Sequence, residues 1–151
     1  MIAIDSNILV FAHRVDSAHH TQASATLTAC AQSRKPWCIS WSCVHEFFAV
    51  GTHPRIYSLP TPPEKAMDQI SAWLESTRLV LLGETDTHWL TLQKLLAHAK
   101  TTGSAVHDAR IAALCFQHGV RKLWSADRDF RRWPELKVVN PLGKKTKKPV
   151  G

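Results

Sequence analysis

Acidic residues recur in this chain where apolar runs give way to polar turns. Asp5 ends the run Met1-Ile-Ala-Ile4, and Glu46 lies inside Trp41-Ser-Cys-Val-His-Glu-Phe-Phe48. Asp108 opens the helical pattern His107-Asp-Ala-Arg-Ile-Ala-Ala-Leu-Cys115, and Asp127 follows Lys122-Leu-Trp-Ser125 with Asp129 just behind it. Carboxylates from separate segments converge only if the fold brings them together. Once converged, they repel one another unless a divalent cation lies between them. The chemistry suited to such a set is metal-assisted hydrolysis of a phosphodiester bond.

Each acid also has a plainer role. Asp5 begins Asp-Ser-Asn, a turn that can cap a helix; Ser6 and Asn7 can equally hydrogen-bond its carboxylate. Asp108 stands in a helix's first turn, where the peptide dipoles favour an anion whatever its function. Glu46 sits among Val44, Phe47 and Phe48 on a helix expected to be largely buried, so it needs a metal, a donor or an arginine partner. Asp127 and Asp129 bracket Arg128. One can ligate a metal and the other cap Phe130-Arg-Arg132, and the sequence does not separate them. Ser125 is placed to orient a carboxylate or a water.

Other chemistries fit less well. A phosphatase of the haloacid dehalogenase type needs a second acid two residues after the first, and that position is Asn7. None of the nine histidines forms a pair with structural-zinc spacing, His19-His20 with Cys30 included. There is no GxxxxGK[ST] loop and no GxGxxG, which sets aside nucleotide-fuelled reactions. Trp41 and Trp133 are candidates for stacking on bases.

Alternation of apolar runs with helical patterns predicts a parallel sheet flanked by helices. The expected strands are Ile2-Ala-Ile4, Trp37-Cys-Ile39, Leu79-Val-Leu-Leu82, Leu123-Trp124 and Val138-Val139. Helices are expected from Ile8, over His19 to Ala31, after a Ser40 or Ser42 cap, and after Leu59-Pro-Thr-Pro-Pro63. A further one follows a Thr85 cap and turns Trp89, Leu92, Leu95 and Leu96 inward. The last buries Ile111, Leu114, Cys115 and His118 and stops at Gly119 in a left-handed turn. Asp5 and Asp127 then lie past strand ends, at the carboxyl edge where open α/β sheets bind ligands.

The chain has 151 residues, 44% of them hydrophobic, which fits one globular domain with a substantial core. No apolar run is long enough to span a bilayer, and no basic leader marks a signal peptide. Cys30, Cys38, Cys43 and Cys115 lack CxxC spacing and are expected as reduced thiols in the cytoplasm. The net charge is +7, so a polyanion such as RNA or an acidic protein partner suits the surface. Lys144, Lys145, Lys147 and Lys148 carry much of that excess in a tail, residues 143–151, expected to be disordered beyond a domain of residues 1–142.

Four segments together resemble the PIN-domain ribonucleases, and among them the VapC toxins of type II toxin–antitoxin pairs. They are Ile4-Asp-Ser-Asn-Ile-Leu9, Ser42-Cys-Val-His-Glu46, Val106-His-Asp-Ala-Arg-Ile-Ala-Ala113 and Trp124-Ser-Ala-Asp-Arg-Asp-Phe130, with Val138-Val-Asn-Pro141 closing the series. The resemblance implies an α/β fold: a three-layer α/β/α sandwich around a mainly parallel sheet of about five strands. It implies Mg²⁺, or Mn²⁺ as substitute, held by Asp5 and Asp108, with Glu46 completing the site and Asp127 as the fourth acid beside Asp129. Ser6, Asn7 and Ser125 would support these acids, and Arg110 and Arg128 would meet the RNA backbone. Partners implied are an RNA substrate, a VapB-type antitoxin and a second copy in a homodimer. Leu9, Phe11, Phe48 and Val50 could serve either that interface or the core. Two other readings share the fold: a binding module with little turnover, and an RNA-processing nuclease without an antitoxin.

Overall fold

The computed structural model describes residues 1–143. The expected tail therefore lies, Gly143 apart, outside the described residues. In chain order the elements are β1 (Ile2–Ile4), α1 (Ser6–His13), α2 (His20–Gln32), β2 (Trp37–Ser40), α3 (Trp41–Gly51) and α4 (Pro63–Leu74). They continue with β3 (Leu79–Leu82), α5 (His88–His98), α6 (Val106–Gln117), β4 (Lys122–Trp124) and β5 (Lys137–Val139). Short 3₁₀ turns occupy Gly103–Ala105 and Asp129–Arg132.

The strands form one five-stranded sheet in the order β3-β2-β1-β4-β5, every neighbouring pair parallel. Ile2 stands opposite Trp37 on one side and Lys122 on the other. The chain steps outward from β1 to β2 to β3, then returns to lay β4 against the free side of β1. Because parallel crossovers are right-handed, that reversal moves the later helices to the opposite face. Packing agrees: α1 contacts α2 and α3, and α3 contacts α4, whereas α6 packs on α5 and on the 3₁₀ turn before β5. The result is a helix–sheet–helix sandwich, with Ile4, Leu9, Ile39, Phe47, Leu82, Leu114 and Leu123 closed from water between its layers. The crevice at the reversal opens outside the carboxyl ends of β1 and β4.

Local chemistry explains several boundaries. Ser40 caps α3 by accepting from the Cys43 N–H at 3.2 Å, and Pro63 starts α4 where no backbone donor is needed. Gly119 takes φ of 70° after α6, the left-handed stop that glycine makes without strain. Arg14, buried at the end of α1, fastens the α3–α4 connection. It donates to Asp16 at 2.9 and 2.6 Å, to Thr61 at 3.2 Å and to the Leu59 carbonyl at 2.9 Å, with Tyr57 stacked 3.7 Å away.

One capping and three packing expectations need correction. Thr87, not Thr85, precedes α5, and Trp89 is 61% exposed because it lies on that helix's outer face. His118 is exposed, its Nε2 donating to the Gly83 carbonyl at 2.9 Å. Trp133 is fully buried with its indole N–H on the Leu95 carbonyl, so it offers no face to a base. Leu9 belongs to the core, while Phe11, Phe48 and Val50 are partly covered against it. The four cysteines are free and buried.

Candidate active site

Asp5 follows β1 directly and is 4% exposed. Its N–H continues the sheet by donating to the Trp124 carbonyl at 3.0 Å, which fixes where the carboxylate emerges. Oδ1 accepts from the Ser6 N–H at 2.7 Å, from Ser6 Oγ at 3.4 Å and from the Cys43 thiol at 3.8 Å. Oδ2 accepts from Ser125 Oγ at 2.6 Å and Asn7 Nδ2 at 3.2 Å. Both oxygens are thus held from α1, α3 and the β4 exit. Burial pushes the Asp5 pKa up; the Ser125 and Ser6 hydrogen bonds oppose that, and nearby Glu46 and Asp127 add to it.

Asn7 and Ser125 are the fasteners of this crevice. Asn7 reaches Ser125 Oγ at 3.2 Å and accepts from the Ala126 N–H at 3.3 Å. Ser125 is buried, and its hydroxyl also accepts from the Asp127 N–H at 2.9 Å. One hydroxyl therefore joins the β1 acid to the β4 acid across the switch point.

Asp108, in the first turn of α6, lies on the same edge. Oxygens of Asp108, Asp127 and Asp129 come within 4.8 Å of one another. Partial burial raises the Asp108 pKa to about 6, helped by Asp127, Asp5, Asp129 and Glu46. The first N–H of the 3₁₀ turn, that of Asp129, is met by Asp127 Oδ1 at 2.8 Å, so the capping role falls to Asp127 and not to Asp129. Its carboxylate turns to Asp108 instead. Among the described residues no lysine or arginine is paired with any of the five acids.

Glu46 departs from expectation. It is exposed, not buried, because it follows the outward His45 rather than the Val44–Phe47 face of α3. It needs no compensating arginine there. With Ser42, His107, Arg110 and Ile111 it lines a cavity of about 240 Å³. Arg110 donates from Nε to Glu84 at 2.7 Å, so that part of its guanidinium is engaged by protein. On the other side of the acids, Ser125, Asp127, Arg128, Arg131 and Asn140 line a second cavity, of about 390 Å³. Arg128 is exposed there.

The Cys43 thiol is a contact that sequence reading missed. Burial, chiefly, and the Asp5 charge hold its pKa well above the usual value, so it stays a thiol able to donate. Its place three residues after the Ser40 cap gives no hint of Asp5. Glu84 was likewise not singled out by the sequence, and Ser42, expected as a possible helix cap, lines the Glu46 cavity instead.

A cluster of carboxylate oxygens, without sulfur or imidazole, is a donor set for a hard divalent cation. The mutual repulsion written into Asp108 fits one too. The PIN domain family matches residues 2–136, and the chain belongs to this family and, within it, to the VapC ribonucleases. It is 30% identical over 146 residues to VapC ribonuclease Mb2897 of Mycobacterium bovis and to ribonuclease VapC43 of Mycobacterium tuberculosis, covering 97% of this chain and 99% of each relative. Among solved structures, VapBC2 from Rickettsia felis, bound to a DNA fragment from its promoter, shares the fold with a TM-score of 0.68 at 19% identity. That match covers 93% of this chain and 98% of the other. VapC20 of Mycobacterium tuberculosis, a sarcin-ricin loop cleaving toxin, shares it with a TM-score of 0.62 at 17% identity, over 87% and 93% of the two chains.

Proposed function

We propose that this chain is a Mg²⁺-dependent endoribonuclease, the toxin of a type II pair, acting in the cytoplasm and held in check by a VapB-type antitoxin. The observation that carries the metal dependence is the meeting of Asp108, Asp127 and Asp129 oxygens within 4.8 Å, with no lysine or arginine among the described residues paired to them. Relatives named as ribonucleases across almost the whole chain support the reaction. No described helix is long and apolar enough to cross a membrane. The working unit is a PIN domain of residues 1–142, paired as a homodimer, with the lysine-rich tail beyond it.

Asp108, Asp127 and Asp129 would hold the ion, and Asp5 completes their charge from a carboxylate fixed by Ser125, Asn7, Ser6 and Cys43. When bound, Mg²⁺ (or Mn²⁺ in its place) neutralises the acids and the scissile phosphate and makes water a better nucleophile. Glu46, at the mouth of its cavity, accepts a hydrogen bond from the attacking water and keeps it in line with the bond to be broken. Water oxygen would then bond to phosphorus as the opposite P–O bond breaks, the water's proton passing to the Glu46 carboxylate and the departing oxygen taking a proton from solvent. Arg128 and Arg131 lie on the far flank, where they neutralise flanking phosphates and position the strand. Arg110 does so on the near flank with the part of its guanidinium that Glu84 leaves free.

Induced expression in a bacterial host tests this reading. The wild-type chain should arrest growth and leave discrete RNA fragments, and Asp108→Ala at equal abundance should do neither. Equal arrest by both would sink it.

A further inference from the structure

We propose that Trp41, backed by His45, forms a stacking seat for an unpaired base of the RNA strand beside the acidic centre. The inference rests on the ribonuclease reading and adds what the protein grips besides phosphate.

Trp41 is the first residue of α3, at the carboxyl end of β2 and so on the same sheet edge as Asp5 and Ser125. Residues one turn apart on a helix form rows, and two adjacent rows of α3 matter here. Ser42 and Glu46 make the row that lines the cavity with His107 and Arg110. Trp41 and His45 make the neighbouring row, with ring centroids 6.3 Å apart and planes tilted by 32°. A ridge of two rings thus runs alongside the carboxylate that faces the reaction. Trp41 is 41% exposed, whereas Trp37, Trp73 and Trp133 are buried, and Trp89, at 61%, lies on the outer face of α5.

The seat is also built to stay in place. The indole rests against the exit of β3: a Cβ placed on Gly83 would stand 3.9 Å from Trp41 Cδ1. That exit is fastened to α6 by the His118 bond to the Gly83 carbonyl at 2.9 Å and the Arg110–Glu84 pair at 2.7 Å. Gln117 adds bonds to His88 at 2.8 Å and Thr85 at 2.7 Å. A ring supported this way loses little freedom when a base lands on it. Every base has a π-face, so such a seat recognises a single strand rather than a sequence. Base-paired RNA keeps its bases stacked inside the helix and cannot use it. Arg110 links the seat to the site, since it lines the Glu46 cavity while holding Glu84, the residue that follows Gly83. That continuity with the reacting centre favours a nucleic-acid occupant over a protein one.

The test compares two labelled probes of equal length and charge: a short mixed-sequence oligoribonucleotide and an abasic ribose-phosphate strand. Binding is followed by fluorescence anisotropy in the Asp108→Asn background, which keeps the strand whole and removes one repelling charge. The Trp41 protein should bind the base-bearing strand at least about fivefold more tightly than the abasic one. Trp41→Ala should erase that preference while leaving abasic affinity unchanged, and Trp41→Phe should keep most of it. A preference that survives Trp41→Ala, or none to begin with, overturns the proposal. So does a Trp41→Ala protein that changes oligomeric state yet keeps the preference, which would assign the ring to a protein contact. Failure of the nuclease reading would show separately, as wild-type protein that never cuts RNA while the base preference stands.

Discussion

Replacing Asp108 by asparagine should stabilise the metal-free protein. In the folded chain the Asp108 pKa rises from an ordinary 3.8 to about 6, first through burial and then through Asp127, Asp5, Asp129 and Glu46. A folded-state value above the unfolded one means the folded state binds the proton more tightly. The penalty is therefore absent below the unfolded pKa, grows as pH rises toward about 6, and is complete above it. At ~1.4 kcal/mol per pH unit the full effect would be about 3 kcal/mol. Asp108 is only half-buried, and solvent screening reduces this to about 1 kcal/mol. For a domain of this size that is a melting-temperature rise of about 2–4 °C. Thermal unfolding followed by circular dichroism in EDTA should show Asp108→Asn melting higher than wild type at about pH 7.5, with the gap closing toward about pH 4. Millimolar Mg²⁺ or Mn²⁺ should reverse the order, because the ion stabilises the state that binds it. An asparagine variant no more stable than wild type in EDTA at neutral pH would refute the idea that these acids repel one another.

Ser125→Ala removes the hydroxyl that serves Asp5, Asn7 and the Asp127 N–H at once. It should cost about 1–2 kcal/mol of stability in urea titrations and about 10–100-fold in RNA cleavage, as loss of a ligand's supporting partner does. Arg14→Ala should lower the melting temperature by about 5 °C, since several hydrogen bonds and the Tyr57 stack go together, while cleavage by the folded fraction is unchanged. Removing residues 144–151 takes away Lys144, Lys145, Lys147 and Lys148, and should flatten the salt dependence of RNA affinity without abolishing cleavage at low salt.

The sheet was legible because short, strongly apolar runs separated by helical patterns have few alternatives, and all five expected strands are present. Placing Asp5 and Asp127 past strand ends followed from that pattern alone. What could not be read was orientation. Glu46 sits between inward Val44 and Phe47, and whether a helix rolls it toward core or solvent depends on how α3 meets β2 and α1. Trp89 and His118 went outward for the same reason: apolar or aromatic type does not fix a face when the helix has several candidate stripes. Long-range fasteners were also invisible. The Ser125–Asp5 bond spans 120 residues, and the Cys43 contact spans 38. Asp127 and Asp129 could not be told apart locally, because either helix-start acid can cap; the backbone separates them by giving the Asp129 N–H to Asp127.

The most direct test of the central claim is cleavage of total RNA by purified wild-type protein, with and without Mg²⁺ or Mn²⁺, beside Asp5→Ala and Asp108→Ala. The account predicts discrete products that need the metal and vanish in both variants, each shown to be folded. Wild-type protein that is folded, free of any antitoxin and supplied with metal, yet leaves the RNA intact, would contradict it.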